Sequence, residues 1–280
     1  MFNHQRSAKD LAISPDGTHL AIGGKSIRLH DMMTGACIMQ LGDSDHITAL
    51  TFLADNAYLA SGTWSGRIFL WDVVTGICVL SLEGHMKWIT SLSASPREPL
   101  LASASWDGTI RIWNTTSGEC LHTYDVDASS LVFFPDGERL AIGCEDGWLR
   151  LWNCDTKEIQ SHELRDAGYL WLAISNNGKL LAATRFGQSD VAIFDTTDFS
   201  PETVLDVGAN EGRISFSPDN SQLLTVDDNS MRLWNIHSRE CRSFKHERVE
   251  NAAFTPDGTH IVSGREHCCL SFLYFSLANS

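Results

Sequence analysis

Residues Gly84 to Trp113 read G-H-M-K-W-I-T-S-L-S-A-S-P-R-E-P-L-L-A-S-A-S-W-D-G-T-I-R-I-W. In its last part, Thr109 to Trp113, the apolar residues Ile110 and Ile112 alternate with Arg111. That period of two belongs to a strand and not to a helix. Ser95-Pro96 and Asp107-Gly108 punctuate the stretch, and Pro and Asp-Gly set tight turns between strands.

The same phrase recurs along the chain. Landmark aromatic or imidazole residues stand at His30, Trp71, Trp113, Trp152, Phe194, Trp234 and Phe272, about 40 residues apart. A small or acidic polar residue follows the first six: Asp31, Asp72, Asn114, Asn153, Asp195 and Asn235. Turn phrases beginning at Ser14, Leu53, Ser95, Phe134, Ser175, Ser217 and Thr255 keep the same period. A unit of this length with four short strands is one propeller blade. The 280 residues predict an all-β chain, a single seven-bladed β-propeller of four-stranded antiparallel blades spanning residues 1–280.

These residues carry a resemblance. Trp71-Asp72, the blade opener Gly84-His85 and the turn S-P-D-G resemble the WD-repeat β-propellers over essentially the whole chain. The resemblance implies a hydrogen-bonded network of His85, Asp107 and Trp113 inside blade 3, with Ser103 or Ser105 as its hydroxyl. Asp146/Trp152 and Asp228/Trp234 keep the same offset in blades 4 and 6, without Gly-His, and are expected to hold reduced versions. Blade 2 has Ser65 at the Asp position. The resemblance also implies closure by a short N-terminal outer strand at about residues 1–6. That seam is either naturally short or the sign of a chain cut from a longer protein. The turn phrase T-G-x-C, at Thr34 to Cys37 and Thr75 to Cys78, is similar to WD arrays of NACHT-type receptor proteins. That similarity implies an attached or associated signalling module.

Composition narrows the function classes. The chain has 21 Lys+Arg against 35 Asp+Glu, a net charge of −14. This balance argues against duplex nucleic acid and anionic membranes as partners. The first ten residues, MFNHQRSAKD, lack the apolar core of a signal peptide. The apolar run Tyr169 to Ile174 is far short of a span. A cytoplasmic protein is expected, with the nucleus left open. The eight cysteines then read as free thiols, and the repeat-locked Cys37, Cys78, Cys120 and Cys241 as small packing residues.

Candidate chemistry is sparse. Gly24-Lys25-Ser26 lacks the upstream glycine and following helix of a phosphate loop. Glu266-His267-Cys268-Cys269 has metal-ligand residue types, but adjacent strand residues point to opposite faces. No nucleophile elbow or zinc-protease motif occurs. No catalytic residue, metal or cofactor is expected. The strongest functional signal is aromatic and Arg placement in the loops that the resemblance assigns to the top face. Trp64, Trp88, Trp106, Trp171, Arg185, Arg213, Arg248 and Arg265 are the expected partner-binding residues, since Trp and Arg are enriched in binding hot spots. The arginines favour an acidic segment of a protein or peptide partner. Arg28, Arg111, Arg150 and Arg232 recur in the third strand and read as solvated blade edge. The expected function is a non-catalytic interaction scaffold or sensor. The alternatives are a propeller acting on a small molecule in its channel and a structural subunit of a larger complex.

Overall fold

The computed structural model describes residues 10–42, 45–144, 146–163, 170–185, 190–207, 213–227, 230–245, 249–265 and 270–274. All regular structure in them is strand. Blade 1 holds β1 (Leu11–Ile13), β2 (His19–Ile22), β3 (Ile27–Asp31) and β4 (Cys37–Leu41). Blade 2 holds β5 (Ile47–Phe52), β6 (Tyr58–Thr63), β7 (Ile68–Asp72) and β8 (Cys78–Leu82). In blade 3 these are β9 (Ile89–Ala94), β10 (Leu100–Ser105), β11 (Thr109–Asn114) and β12 (Cys120–Asp125). Blade 4 has β13 (Ala128–Phe133), β14 (Arg139–Cys144), β15 (Trp148–Asn153) and β16 (Ile159–Glu163). Blade 5 has β17 (Leu170–Ile174), β18 (Leu180–Arg185), β19 (Asp190–Asp195) and β20 (Pro201–Asp206). Blade 6 has β21 (Arg213–Phe216), β22 (Gln222–Asp227), β23 (Ser230–Asn235) and β24 (Cys241–Lys245). A last sheet holds β25 (Val249–Phe254), β26 (His260–Arg265) and β27 (Leu270–Tyr274).

The expectation of seven four-stranded blades is corrected. Six sheets are complete four-stranded blades, and the last sheet has three strands among the described residues. The fourth strand was to come from residues 1–6, which lie outside the described residues. Among the described residues the propeller therefore has six blades of the expected construction, not seven.

Each blade is an antiparallel meander, so its turns alternate between two faces. The β1–β2 type and β3–β4 type turns share one face, here called the turn face. The β2–β3 type hairpins and the lead-ins to each first strand share the other, the hairpin face. The first strands touch one another in order around the axis, and β25 touches both β21 and β1. Between neighbouring sheets lie separate apolar clusters, such as Ile110, Ile112, Leu131, Leu140 and Trp152 between blades 3 and 4. Leu11, Leu20, Ile22 and Val262 form the cluster at the seam.

The inner edges need partners for their backbone N–H groups. One register column supplies several. Asp10, Ala49, Ser91, Ser130, Trp171, Arg213 and Asn251 each lie four residues before a turn phrase. Asp10 Oδ2 accepts the Leu50 N–H at 2.8 Å, Ser91 Oγ that of Leu131 at 3.0 Å and Ser130 Oγ that of Leu172 at 3.2 Å. In each case the inner strand of one blade satisfies the next.

Candidate functional site

Blade 3 carries the buried network. Trp113 Nε1 donates to Ser103 Oγ at 2.8 Å, and Ser103 Oγ lies 2.7 Å from His85 Nε2. His85 Nδ1 lies 2.9 Å from Asp107 Oδ2. A carboxylate only accepts, so Nδ1 carries the proton, Nε2 accepts from the Ser103 hydroxyl, and that oxygen accepts the indole N–H. Ser103 is thus the hydroxyl of the network. Ser105 has another task, donating to the Lys87 carbonyl at 2.9 Å. Asp107 Oδ2 also accepts the Met86 N–H at 2.9 Å, while Oδ1 accepts from Thr109 Oγ1 at 2.7 Å. Partial burial works to raise the Asp107 carboxyl, but the Thr109, Met86 and His85 donors outweigh it and bring it to about 2. Burial lowers the His85 imidazole below its ordinary value, against the partial pull of Asp107.

The other blades hold less. Trp71 Nε1 donates to Ser61 Oγ at 2.9 Å and Trp234 Nε1 to Thr225 Oγ1 at 3.2 Å. In blade 2 the polarity of the lead-in contact is reversed, since Ser65 N–H donates to Asp45 Oδ2 at 3.3 Å. Blade 4 departs from expectation. Trp152 has no hydroxyl on its own β14 and donates instead to Tyr124 OH of blade 3, at 3.0 Å. Asp146 is not in that network. It holds Arg150 at 2.7 and 3.0 Å near the surface. Asp228 lies outside the described residues.

The third-strand arginines are engaged, which corrects their reading as solvated edge for all but Arg28. Besides Arg150, Arg232 donates to the Val207 carbonyl at 2.6 Å, and Arg111 lies over the Trp113 ring at 5.9 Å. Gly84 sits at φ 155°, a conformation that residues with a side chain rarely adopt, so glycine suits the place where the blade opens. The repeat-locked cysteines are not buried packing either. Cys37, Cys78 and Cys241 are exposed and Cys120 half-buried. Cys37, Cys78 and Cys120 sit opposite register shifts and donate weakly to the carbonyl two residues on.

Three of the expected partner-binding residues form one row on the hairpin face. Trp64 stacks on Trp88 with centroids 5.9 Å apart and 13° between planes, and Trp88 on Trp106 at 5.0 Å and 20°. His46 extends the row, 4.9 Å from Trp64. The backbone fixes the spacing. Trp64 N–H donates to the His46 carbonyl at 3.1 Å and Trp106 N–H to that of Trp88 at 3.0 Å. Gly66, at φ 86°, brings the blade 2 hairpin against blade 3, where a Cβ would lie 2.7 Å from the carbonyl oxygens of His85 and Lys87. Trp64 and Trp106 remain 42% and 40% exposed. His46 leads into β5, the first strand of blade 2. Its place in the row needed the tertiary contact between blades.

Trp171 and Arg213 go elsewhere. Arg213 reaches Asp10 Oδ1 at 2.8 Å and lies over the Trp171 ring at 4.5 Å. Asn251 Nδ2 donates to the same Asp10 oxygen at 2.8 Å. These residues belong to the inner column, not to the loop face. Arg185 and Arg265 end their strands, but their side chains lie outside the described residues, as does all of Arg248. Asp10 was missed as a site residue, although its register position places it in one column with Arg213 and Asn251. Among the described residues no group of three or more His, Cys, Asp or Glu side chains is placed to hold a metal. The Glu266 to Cys269 segment lies outside them. No helix among them is long and apolar enough to cross a membrane.

Repeated four-stranded meanders, a closed inner ring and a Trp-to-hydroxyl bond in blades 2, 3 and 6 are joined by a family match. The model of the WD domain, G-beta repeat, matches residues 35–72, 76–114, 118–153 and 212–235. The chain belongs to the WD-repeat β-propellers. This propeller is 28% identical over 257 residues to a guanine nucleotide-binding protein subunit beta of Arabidopsis thaliana, covering 80% of this chain and 68% of that one. It is 24% identical over 255 residues to meiotic fizzy-related protein 1 of Schizosaccharomyces pombe, covering 87% and 58%. It thus spans about two thirds or less of these two relatives. A chain in the crystal structure of a mitotic checkpoint complex superposes with a TM-score of 0.82 at 19% identity, covering 94% of this chain and 89% of that one. That likeness is one of fold.

Proposed function

We propose that the propeller is a non-catalytic interaction module that holds a protein partner on its hairpin face, over blades 2 and 3. The observation that carries this reading is the half-exposed row of His46, Trp64, Trp88 and Trp106. Rigid aromatics lose little conformational entropy on binding and supply large contact areas. The name of the plant relative, a subunit of a larger protein, fits a propeller that works within an assembly. The six described free cysteines suit a reducing, cytoplasmic setting.

The arginine-based reading of an acidic partner loses one of its supports, and the side chains of Arg185, Arg248 and Arg265 lie outside the described residues. Arg213 is committed to Asp10, which removes one of the four arginines on which that reading leaned. A channel ligand is also disfavoured, because Trp171, Arg213, Asp10 and Asn251 engage one another at the inner ring.

The test compares the wild-type chain with a Trp64→Ala/Trp106→Ala variant of unchanged melting behaviour in partner capture from source-cell extract. A protein held by wild type and released by the variant supports the hairpin face. A partner set identical for both overturns it.

A further inference from the structure

The turn face carries a second feature, on the opposite side of the disc and independent of the Trp row. Around this face the turn glycines meet the preceding sheet. Positions for a Cβ on Gly17, Gly178 and Gly258 lie 3.4–3.6 Å from Pro256, Pro135 and Pro218. Between blades 2 and 3 both halves of this contact are missing; blades 5 and 6 lack them too, with Asn176 and Asn220 in their places, but there Asn176 donates to the Pro218 carbonyl and the Asn177 N–H to Asn220 Oδ1. Blade 2 has Ala54 at the proline position, and blade 3 has Glu98 at the glycine position. A groove of about 540 Å³ opens there. Its lining is largely apolar, with Leu53, Tyr58, Leu70, Val79, Leu80 and Leu100 among its residues.

Three properties define what fits. First, one wall is β8, the outer strand of its sheet, which pairs only with β7 among the described residues. Such an edge accepts an extended chain. Second, apolar surface continues outward from the groove. At matching positions of the outer strands, Ile38, Val79 and Leu121 are 48%, 45% and 39% exposed, whereas blades 4 to 6 place Gln160, Glu202 and Arg242 there. The apolar rim is thus one-sided and centred on blade 2. Third, the rim charge is negative. Asp55 and Glu98 line the groove and form no ion pair among the described residues, while the one cation of the lining, Arg97, lies 3.5 Å from Glu138.

We infer that the groove between blades 2 and 3 on the turn face binds an extended segment of a partner protein, one that inserts a large apolar side chain and places a Lys or Arg beside it against Asp55 and Glu98. The apolar anchor supplies affinity, and the carboxylates select a basic neighbour over an acidic one. With the Trp row on the other face, blades 2 and 3 would then bridge two partners.

The test uses a display library of random peptides selected on the full chain, followed by fluorescein-labelled copies of the selected sequences in anisotropy titrations. The expected outcome is a shared motif of a large apolar residue close to Lys or Arg. Val79→Glu, and separately the pair Asp55→Lys/Glu98→Lys, should each weaken binding by about tenfold or more, while Trp64→Ala/Trp106→Ala leaves it unchanged. All of these positions are solvent-accessible, and unchanged melting temperatures verify folding. Four outcomes overturn the inference: no peptide above background, peptides with acidic flanks, binding indifferent to the groove substitutions, or binding lost only with the Trp substitutions. The last of these would support the hairpin-face reading while removing this one, so the two readings fail separately.

Discussion

At Asp107 one carboxylate serves three residues, accepting from the His85 imidazole, the Met86 N–H and both the hydroxyl and the N–H of Thr109. Removing it orphans donors in a largely closed site. Asp107→Ala is therefore expected to cost about 1–3 kcal/mol. Ser65→Ala, at the same position in blade 2, should be near neutral, because the indole of Trp71 bonds Ser61. Equal melting shifts for the two would show that the blade 3 network contributes nothing special. The pH dependence has a definite sign. His85 has a folded pKa below its unfolded value of about 6.5, so the folded state binds fewer protons and stability falls as pH drops below that value. Asp107 has a folded pKa of about 2 against roughly 3.9 unfolded. Its contribution is full above about pH 4 and is lost as pH falls through about 2. Hence the stability gap between wild type and His85→Gln should narrow on going from about pH 8 to about pH 5. Melting curves that stay parallel over this range would contradict it.

Among the elements, the hairpins decide how blades 2 and 3 meet. Gly66 sits at φ 86° with two carbonyl oxygens 2.7 Å from any Cβ. Gly66→Ala is expected to lose about 1–3 kcal/mol from backbone strain alone. It should also push the hairpin off blade 3 and separate Trp64 from Trp88. Near-ultraviolet circular dichroism reads this directly, and a spectrum unchanged from wild type would mean that the stack does not depend on the close approach. Elements also show where pattern failed as a guide. Asp146 and Trp152 keep the spacing of Asp107 and Trp113. Yet Ile142 stands where blade 3 has Ser103, so the indole of Trp152 turns to Tyr124 of the neighbouring blade and Asp146 is left to Arg150.

Over the whole molecule the ring must close without a covalent link. Asp10 does much of this, accepting from Leu11, Leu50 and Asn251 and pairing with Arg213. It thereby ties blades 1, 2 and 6 and the last sheet together. Asp10→Ala is expected to lower stability by about 1–3 kcal/mol for each buried donor it leaves unpaired, the Leu50 N–H and Asn251 Nδ2 among them. Arg213→Met should cost less, because Asp10 keeps its N–H donors. Denaturant unfolding measures both, and two variants that unfold like wild type would show that the seam is held by its apolar cluster alone.

The chain by itself determined the strands, the antiparallel meander and the period, because alternation and turn residues are local and repeat seven times in register. The register placed Trp64, Trp88 and Trp106 at loop positions, and the resemblance to WD-repeat propellers assigned those loops to one face. The count of complete blades was not legible: three strands make up the last sheet among the described residues, and strand number within a sheet is set by long-range pairing that a local period does not encode. Nor was the fate of Arg213, whose type suggested a partner but whose column brings it to Asp10, more than 200 residues earlier. Ser103 and Ser105 lie two residues apart and face the same side of β10, so only their places along the strand separate them: Ser103 lies beside Trp113 and His85, while Ser105 ends the strand at the Lys87 carbonyl. The groove at β8 arises from two departures in different repeats, at Ala54 and Glu98, that become neighbours when the disc closes. Local pattern fixes which elements form. Which charges pair and which surfaces remain open is decided between blades, by contacts that the period cannot encode.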